Sequence, residues 1–159
     1  NFKVNPPLRT QADVDAIVDG LIDGTIDAIA SDHAPHSREK KEVEFNHAPN
    51  GVIGLETTVP ISVTELLQKR GMDLARLVAL LTIGPARILG IPAGTPAPGA
   101  QGDVTVLDLS AEYTIGSQFR SNSSNSPFVG LKVKGRAVYT LVDGKVVFDH
   151  AQEEAELRV

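Results

Sequence analysis

A helix that feeds a short apolar run, which then stops at a knot of polar residues, leaves few folds open to this chain. Residues 10–22 carry the helix. Thr10 is placed as N-cap with Asp13 three positions later, the arrangement of a capping box. Val14, Ile17, Val18 and Leu21 recur at helical spacing, and Gly24 ends the pattern. Residues 26–31, IDAIAS, then have the length and apolar character of a buried strand. It ends at Asp32-His33-Ala34-Pro35-His36. Polar side chains just past the C-terminal end of a buried strand are where α/β barrels and open α/β sheets keep their chemistry. The fold class expected is therefore α/β.

The rest of the chain divides by pattern. Phe2 and Val4 alternate as in a strand that Pro6 and Pro7 stop. Residues 37–54 form a long polar loop with Lys40, Lys41, Glu42 and Glu44, ending near Asn50-Gly51; its length beside a candidate site suits a lid or wall. Residues 57–70 return to helix, with Val59, Val63, Leu66 and Leu67 on one face, Pro60 placed in the first turn and Gly71 at the end. Asp73 caps the next helix, which carries Leu74, Leu77, Val78 and Leu81. Thr82 and Pro85 open a last turn that reaches Gly90. Residues 91–102 are rich in Pro, Gly and Ala and read as a linker. The pattern then becomes β: residues 103–109 alternate, and residues 131–148 give two runs joined at Asp143-Gly144, a type I′ hairpin signal. The tail from Ala151 is charged and reads as frayed or helical. The expected division is 1–90, 91–150 and 151–159.

Composition excludes several function classes. With 159 residues the chain can build one real core. A formal net charge of -5 and no basic stretch argue against nucleic acid. No apolar run approaches the roughly 20 residues that span a bilayer. Cysteine is absent, which removes disulfides and thiolate metal sites. A cytoplasmic location is expected. The chain starts at Asn1 with no leader pattern after it, and is expected to be a piece of a longer protein.

Asp32 is the sharpest candidate for chemistry. A carboxylate at a strand end can hold a metal and take a proton from water activated there; equally, Asp is common as the cap of a following turn. His33 and His36 flank a proline that separates their directions. His36 can donate to a substrate carboxylate, and both can equally be surface histidines. Asn5, before Pro6, can donate and accept at once, or simply open a turn. Gly51 allows close approach of backbone to a ligand, or an Asn-Gly turn. His47 and His150 read as surface residues, and Arg9, Arg38 and Lys40 as solvated charges. A catalytic zinc takes about three protein ligands, and no His-x-His pair is present to join Asp32. Either the other ligands lie on another polypeptide or an upstream piece, or this is not a metal site.

The stretch SDHAPHSREKKEVEF (31–45) resembles the signature of class I dihydroorotases in the amidohydrolase superfamily. So do NFKVNPPLR (1–9), APNGVIGLET (48–57), GPARILGI (84–91) and the segment 120–148. Ala-Pro-His after Asp-His is the specific part. Hydantoinases, dihydropyrimidinases and allantoinases share Asp-His but usually not that continuation. The resemblance implies the C-terminal part of a (β/α)8 barrel over 1–90, then part of a small composite β-sandwich. It implies reversible hydrolysis of the cyclic amide of L-dihydroorotate to N-carbamoyl-L-aspartate in pyrimidine biosynthesis, with one or two Zn2+ ions in the intact enzyme. Asp32 would bind zinc, activate the attacking water and pass its proton to the leaving nitrogen. His36 would bind the substrate carboxylate, Asn5 would contact substrate, and Asn50 and Gly51 would offer backbone groups to its ring. Many relatives have an aromatic residue where Asn50 stands, so only its backbone role carries over. The remaining metal ligands lie upstream. The 159 residues alone are expected to be inactive and to hold zinc weakly.

Two other functions stay open at this point. One is another cyclic amidase, acting on hydantoin or allantoin. The other is a non-catalytic dihydroorotase-like subunit that binds a different enzyme. The expected partners are a small-molecule substrate, the missing N-terminal portion and a second copy of the chain, with no nucleic acid and no membrane.

Overall fold

The computed structural model describes residues 1–156. The first helix, α1 (Gln11–Asp23), forms where the pattern places it. Thr10 Oγ1 accepts from the Asp13 N–H and the Asp13 carboxylate accepts from the Thr10 N–H at 3.0 Å, so two orphan donors of the first turn are satisfied reciprocally. Of its four expected apolar residues only Val18 and Leu21 are buried. Val14 and Ile17 stay 43% and 54% exposed, because no described element covers that side of α1.

The apolar run 26–31 forms no strand and pairs in no ladder. Its backbone is held instead by α4 (Leu74–Leu81), through Ile29 N–H to the Leu80 carbonyl at 3.0 Å. Arg76 of α4 adds a clamp, donating at 2.7 Å to each of the Leu21 and Ile26 carbonyls. Residues 1–5 likewise form no strand. A ladder needs a neighbouring strand about 4.8 Å away, and the described residues supply only single contacts. These are a parallel bridge between His33 and Val52, and Gly51 N–H to the Lys3 carbonyl at 2.9 Å.

The loop after His36 includes the short helix α2 (Arg38–Lys41). The next helix starts earlier than expected, as α3 (Leu55–Ser62), so Pro60 falls beyond the first turn. The missing N–H at Pro60 and the pressure of its ring on the preceding turn disturb the helical ladder. From Val63 to Lys69 the helix runs on with the wider π repeat. The Pro60 carbonyl accepts from the Val63 N–H and also from the Thr64 hydroxyl at 2.7 Å, and that hydroxyl in turn accepts from Lys134 N–H at 2.8 Å, tying the helix to the sheet. Asp73 caps α4 by accepting from Arg76 N–H, and α5 (Ile83–Leu89) ends at Gly90.

Three antiparallel strands follow in sequence order: β1 (Val104–Thr114), β2 (Lys132–Val142) and β3 (Lys145–Asp149). β1 runs five residues past its expected end at 109. Asp143 and Gly144 turn β2 into β3 with φ of 51° and 73°, the pair of positive angles a type I′ turn needs. A last helix, α6 (His150–Glu156), occupies most of the tail, and residues 157–159 of the expected tail lie outside the described residues. His150 is not a plain surface residue. It is half-buried, stacks on Phe148 and meets the Arg136 guanidinium.

The core gathers Val18 and Leu21 of α1, Val63 and Leu66 of the π segment, Met72, and Leu77 and Leu80 of α4, with Ile29 and Leu109 packed against them. It therefore joins helices and sheet into one packed unit. No described helix is long and apolar enough to cross a membrane.

Candidate active site

Two loops make the site, residues 32–36 and 49–54, and hydrogen bonds lock one to the other. Ala34 N–H donates to the Val52 carbonyl at 2.9 Å. His33 Nδ1 accepts from Gly54 N–H at 3.2 Å and Leu55 N–H at 3.4 Å, which satisfies the start of α3. An accepting Nδ1 carries no proton, so the His33 ring is the tautomer with its proton on Nε2. His33 thus acts as a helix cap.

His36 Nε2 donates to the Asn50 carbonyl at 2.9 Å. That bond fixes the ring between the loops and leaves Nδ1 without a protein partner among the described residues. Gly51 sits against the first loop with φ of 115°; a Cβ there would lie 2.5 Å from the Ala34 Cβ. Only glycine permits this approach. Both Gly51 backbone groups are used inside the chain. The N–H goes to Lys3, and the carbonyl accepts from Lys41 Nζ at 3.0 Å and Asn125 Nδ2 at 3.2 Å. Among the described residues the N–H of exposed Asn50 has no such partner.

Asp32 opens the first loop. It is exposed, lies in the left-handed region at φ 40°, and its carboxylate has no hydrogen-bond partner among the described residues. A non-glycine residue held there costs about 1 kcal/mol or more, and such positions cluster at functional sites. Asn5 is also exposed; the Lys3–Gly51 bond brings its segment alongside the second loop. His36, Asn50 and Gly51 are thus in direct contact, whereas Asp32 and Asn5 stand at the open edges. Among the described residues no three His, Cys, Asp or Glu side chains lie close enough to hold a metal. Asp32 can supply one ligand, and the donor set of this chain does not make a metal site by itself.

Two residues that sequence reasoning passed over build the site's floor. Lys41, expected to be part of a polar loop, is buried and donates to the Pro49 and Gly51 carbonyls, each at 3.0 Å. Within the run REKKE it looks like any solvated charge, and only the folded loop shows that one lysine turns inward. Arg38 and Arg9 do remain exposed, beside Glu42 and Asp13. Asn125 is buried as well and comes from a serine-rich stretch far along the chain. The cavity of about 450 Å³ between the π segment and the sheet is separate from these loops; Thr64, Gln68, Tyr113 and Lys134 line it.

Loss of water on burial holds the Lys41 ammonium below its ordinary pKa of 10.5, and the nearby Lys3 cation adds to this. In the window below 10.5 the unfolded chain then binds more protons than the folded one, so stability rises with pH there. Tyr113, pushed up by burial, contributes the opposite slope at higher pH. The expected result is a smaller alkaline gain in urea midpoint for Lys41→Met than for the wild-type chain. Equal gains contradict the burial of the charged amine.

These two loops bring together an exposed carboxylate, an anchored histidine and a glycine pressed against the first loop. The sequence matches the amidohydrolase family over residues 5–147, and the chain belongs to that family. It is 54% identical to a dihydroorotase of Geobacter sp. (strain M21), over 93% of this chain and 35% of the relative. It is 48% identical to a dihydroorotase of Acetivibrio thermocellus, over 91% and 34%. Among solved structures it superposes on the L-hydantoinase (dihydropyrimidinase) of Arthrobacter aurescens with a TM-score of 0.87 and 37% identity, over 92% of this chain and 34% of that one. The dihydropyrimidinase of Brevibacillus agri gives 0.87 and 27%, over 93% and 34%. The chain spans about a third of the length of the curated relatives it matches.

Proposed function

We propose that this chain is the C-terminal portion of a dihydroorotase. Residues 1–90 would be the last strands and helices of a (β/α)8 barrel, residues 91–150 part of a β-sandwich completed from the other end of the protein, and 151–159 a tail. The observation that carries the reading is His36. Its Nε2 is spent on the Asn50 carbonyl, which fixes the ring, and its Nδ1 has no protein partner among the described residues. With Nε2–H given to that carbonyl, Nδ1 donates only from the doubly protonated ring, and that imidazolium form suits a carboxylate, which dihydroorotate has and hydantoin lacks. The higher identity to proteins named dihydroorotase than to the hydantoinases supports the same choice.

In the reaction, water adds to the cyclic amide carbon and the ring C–N bond breaks. The hydroxyl stays on the acyl carbon and the proton ends on the leaving nitrogen, giving N-carbamoyl-L-aspartate. Asp32 takes the proton from the attacking water and delivers it to that nitrogen. Asn50 N–H and Asn5 orient the ring, while Gly51 lets the loop lie close to it. Bound zinc would supply electrophilic polarisation of the carbonyl, with Asp32 as one ligand and the others from the N-terminal portion. That portion and a second copy of the chain would also cover apolar residues left bare here, such as Ile17 and Val78.

Substitution of His36 tests the reading. In the full-length protein, His36→Ala is expected to lower kcat/KM for dihydroorotate about a hundredfold, and for hydantoin by less than about threefold. Equal losses on both substrates would favour the hydantoinase-type alternative.

A further inference from the structure

The side-chain amide of Asn125 lies between the two loops of the site, and each of its atoms is engaged. Nδ2 donates to the Ala34 carbonyl at 3.0 Å and to the Gly51 carbonyl at 3.2 Å; Oδ1 accepts from His36 N–H at 3.1 Å. The Asn125 backbone carbonyl also accepts from Ile53 N–H at 3.3 Å. The orientation of the amide follows from its partners. Two carbonyl oxygens can only accept and one N–H can only donate, so a flipped amide would mismatch all three contacts. These partners lie 74 to 91 residues away in sequence. Asn125 belongs to the segment joining β1 to β2, so it brings the C-terminal part of the chain into the site.

We propose that Asn125 is a positioning residue. It fixes the separation of loops 34–36 and 50–53 and so keeps the His36 ring against Asn50, without itself touching substrate. Lys41 braces the second loop from below through the shared Gly51 carbonyl. The His36–Asn50 bond spans the two loops, so it lengthens when they separate. Asn125→Asp is nearly isosteric, but it replaces two donors with an acceptor that faces two carbonyl oxygens. The loops are then repelled from the middle. The catalytic consequence rests on the dihydroorotate reading; the loop geometry does not.

The test uses the full-length protein with Asn125→Asp, and Asn125→Ala as a variant that introduces no charge. Backbone amide exchange is expected to accelerate about tenfold to a hundredfold at Ala34, His36 and Ile53. Exchange in α1 and β2 should stay within about threefold of wild type. KM for dihydroorotate should rise about tenfold or more, with kcat changed less than about threefold. Uniform acceleration through α1 and β2, no acceleration at the loops, an unchanged KM, or loss of the fold in both variants overturns the proposal. If the wild-type protein does not turn over dihydroorotate, the functional reading falls, and the exchange pattern alone then decides the role of Asn125.

Discussion

Asp32→Asn in the full-length protein is expected to lower kcat by about a thousandfold or more, with the fold intact. The substitution keeps the shape of the side chain and removes the charge. Asparagine cannot take a proton from water, and general base catalysis alone contributes about a hundred- to ten-thousandfold. It is also a poor replacement for a carboxylate as a metal ligand, so both tasks assigned to Asp32 fail together. The carboxylate has no partner among the described residues, so its removal breaks no ion pair or cap. Stability should therefore change by less than about 0.5 kcal/mol. Near-normal turnover, or a loss explained by unfolding, would remove Asp32 from the mechanism.

Gly51→Ala carries the second large effect. The added methyl would meet the Ala34 Cβ at 2.5 Å and would sit on a backbone with φ of 115°. Strain and overpacking of this kind cost about 2–4 kcal/mol together. The loops must part to make room, so the His36–Asn50 bond lengthens and kcat/KM should fall about a hundredfold. Gly71→Ala is the control. Its φ is 67°, but nothing lies within 4 Å of the added methyl, so only the conformational cost of about 1 kcal/mol remains. Thermal unfolding of both variants separates collision from backbone strain. Equal destabilisation would show that the two loops are not in forced contact.

Local chemistry made much of the fold legible in the sequence. The capping box at Thr10 and Asp13, the cap at Asp73 and the turn at Asp143-Gly144 each depend on residues close in the chain, and each forms as its pattern implies. The resemblance placed the polar turn at 32–36 in one family, and the match over residues 5–147 bears that family out. Features that depend on distant partners were not legible. Val14 and Ile17 have the spacing of a buried face, but spacing does not reveal whether anything covers it. Run 26–31 has strand character, but a ladder depends on a neighbour that the described residues do not supply. The π segment follows from where α3 begins, and a shift of two residues in that start moves Pro60 out of the tolerated first turn. Lys41 and Asn125 were passed over because their role lies in carbonyl groups they meet only after folding. The sequence therefore named candidate residues on the two loops, whereas the supports that hold those loops together were not legible.

A structure of the full-length protein with dihydroorotate bound tests the central claim most directly. The substrate carboxylate should lie within hydrogen-bonding reach of His36 Nδ1, the ring against Asn50 and Gly51, and the Asp32 carboxylate should face the amide to be cleaved. Ligand bound away from the two loops, or an Asp32 side chain directed away from the ligand, would contradict the account.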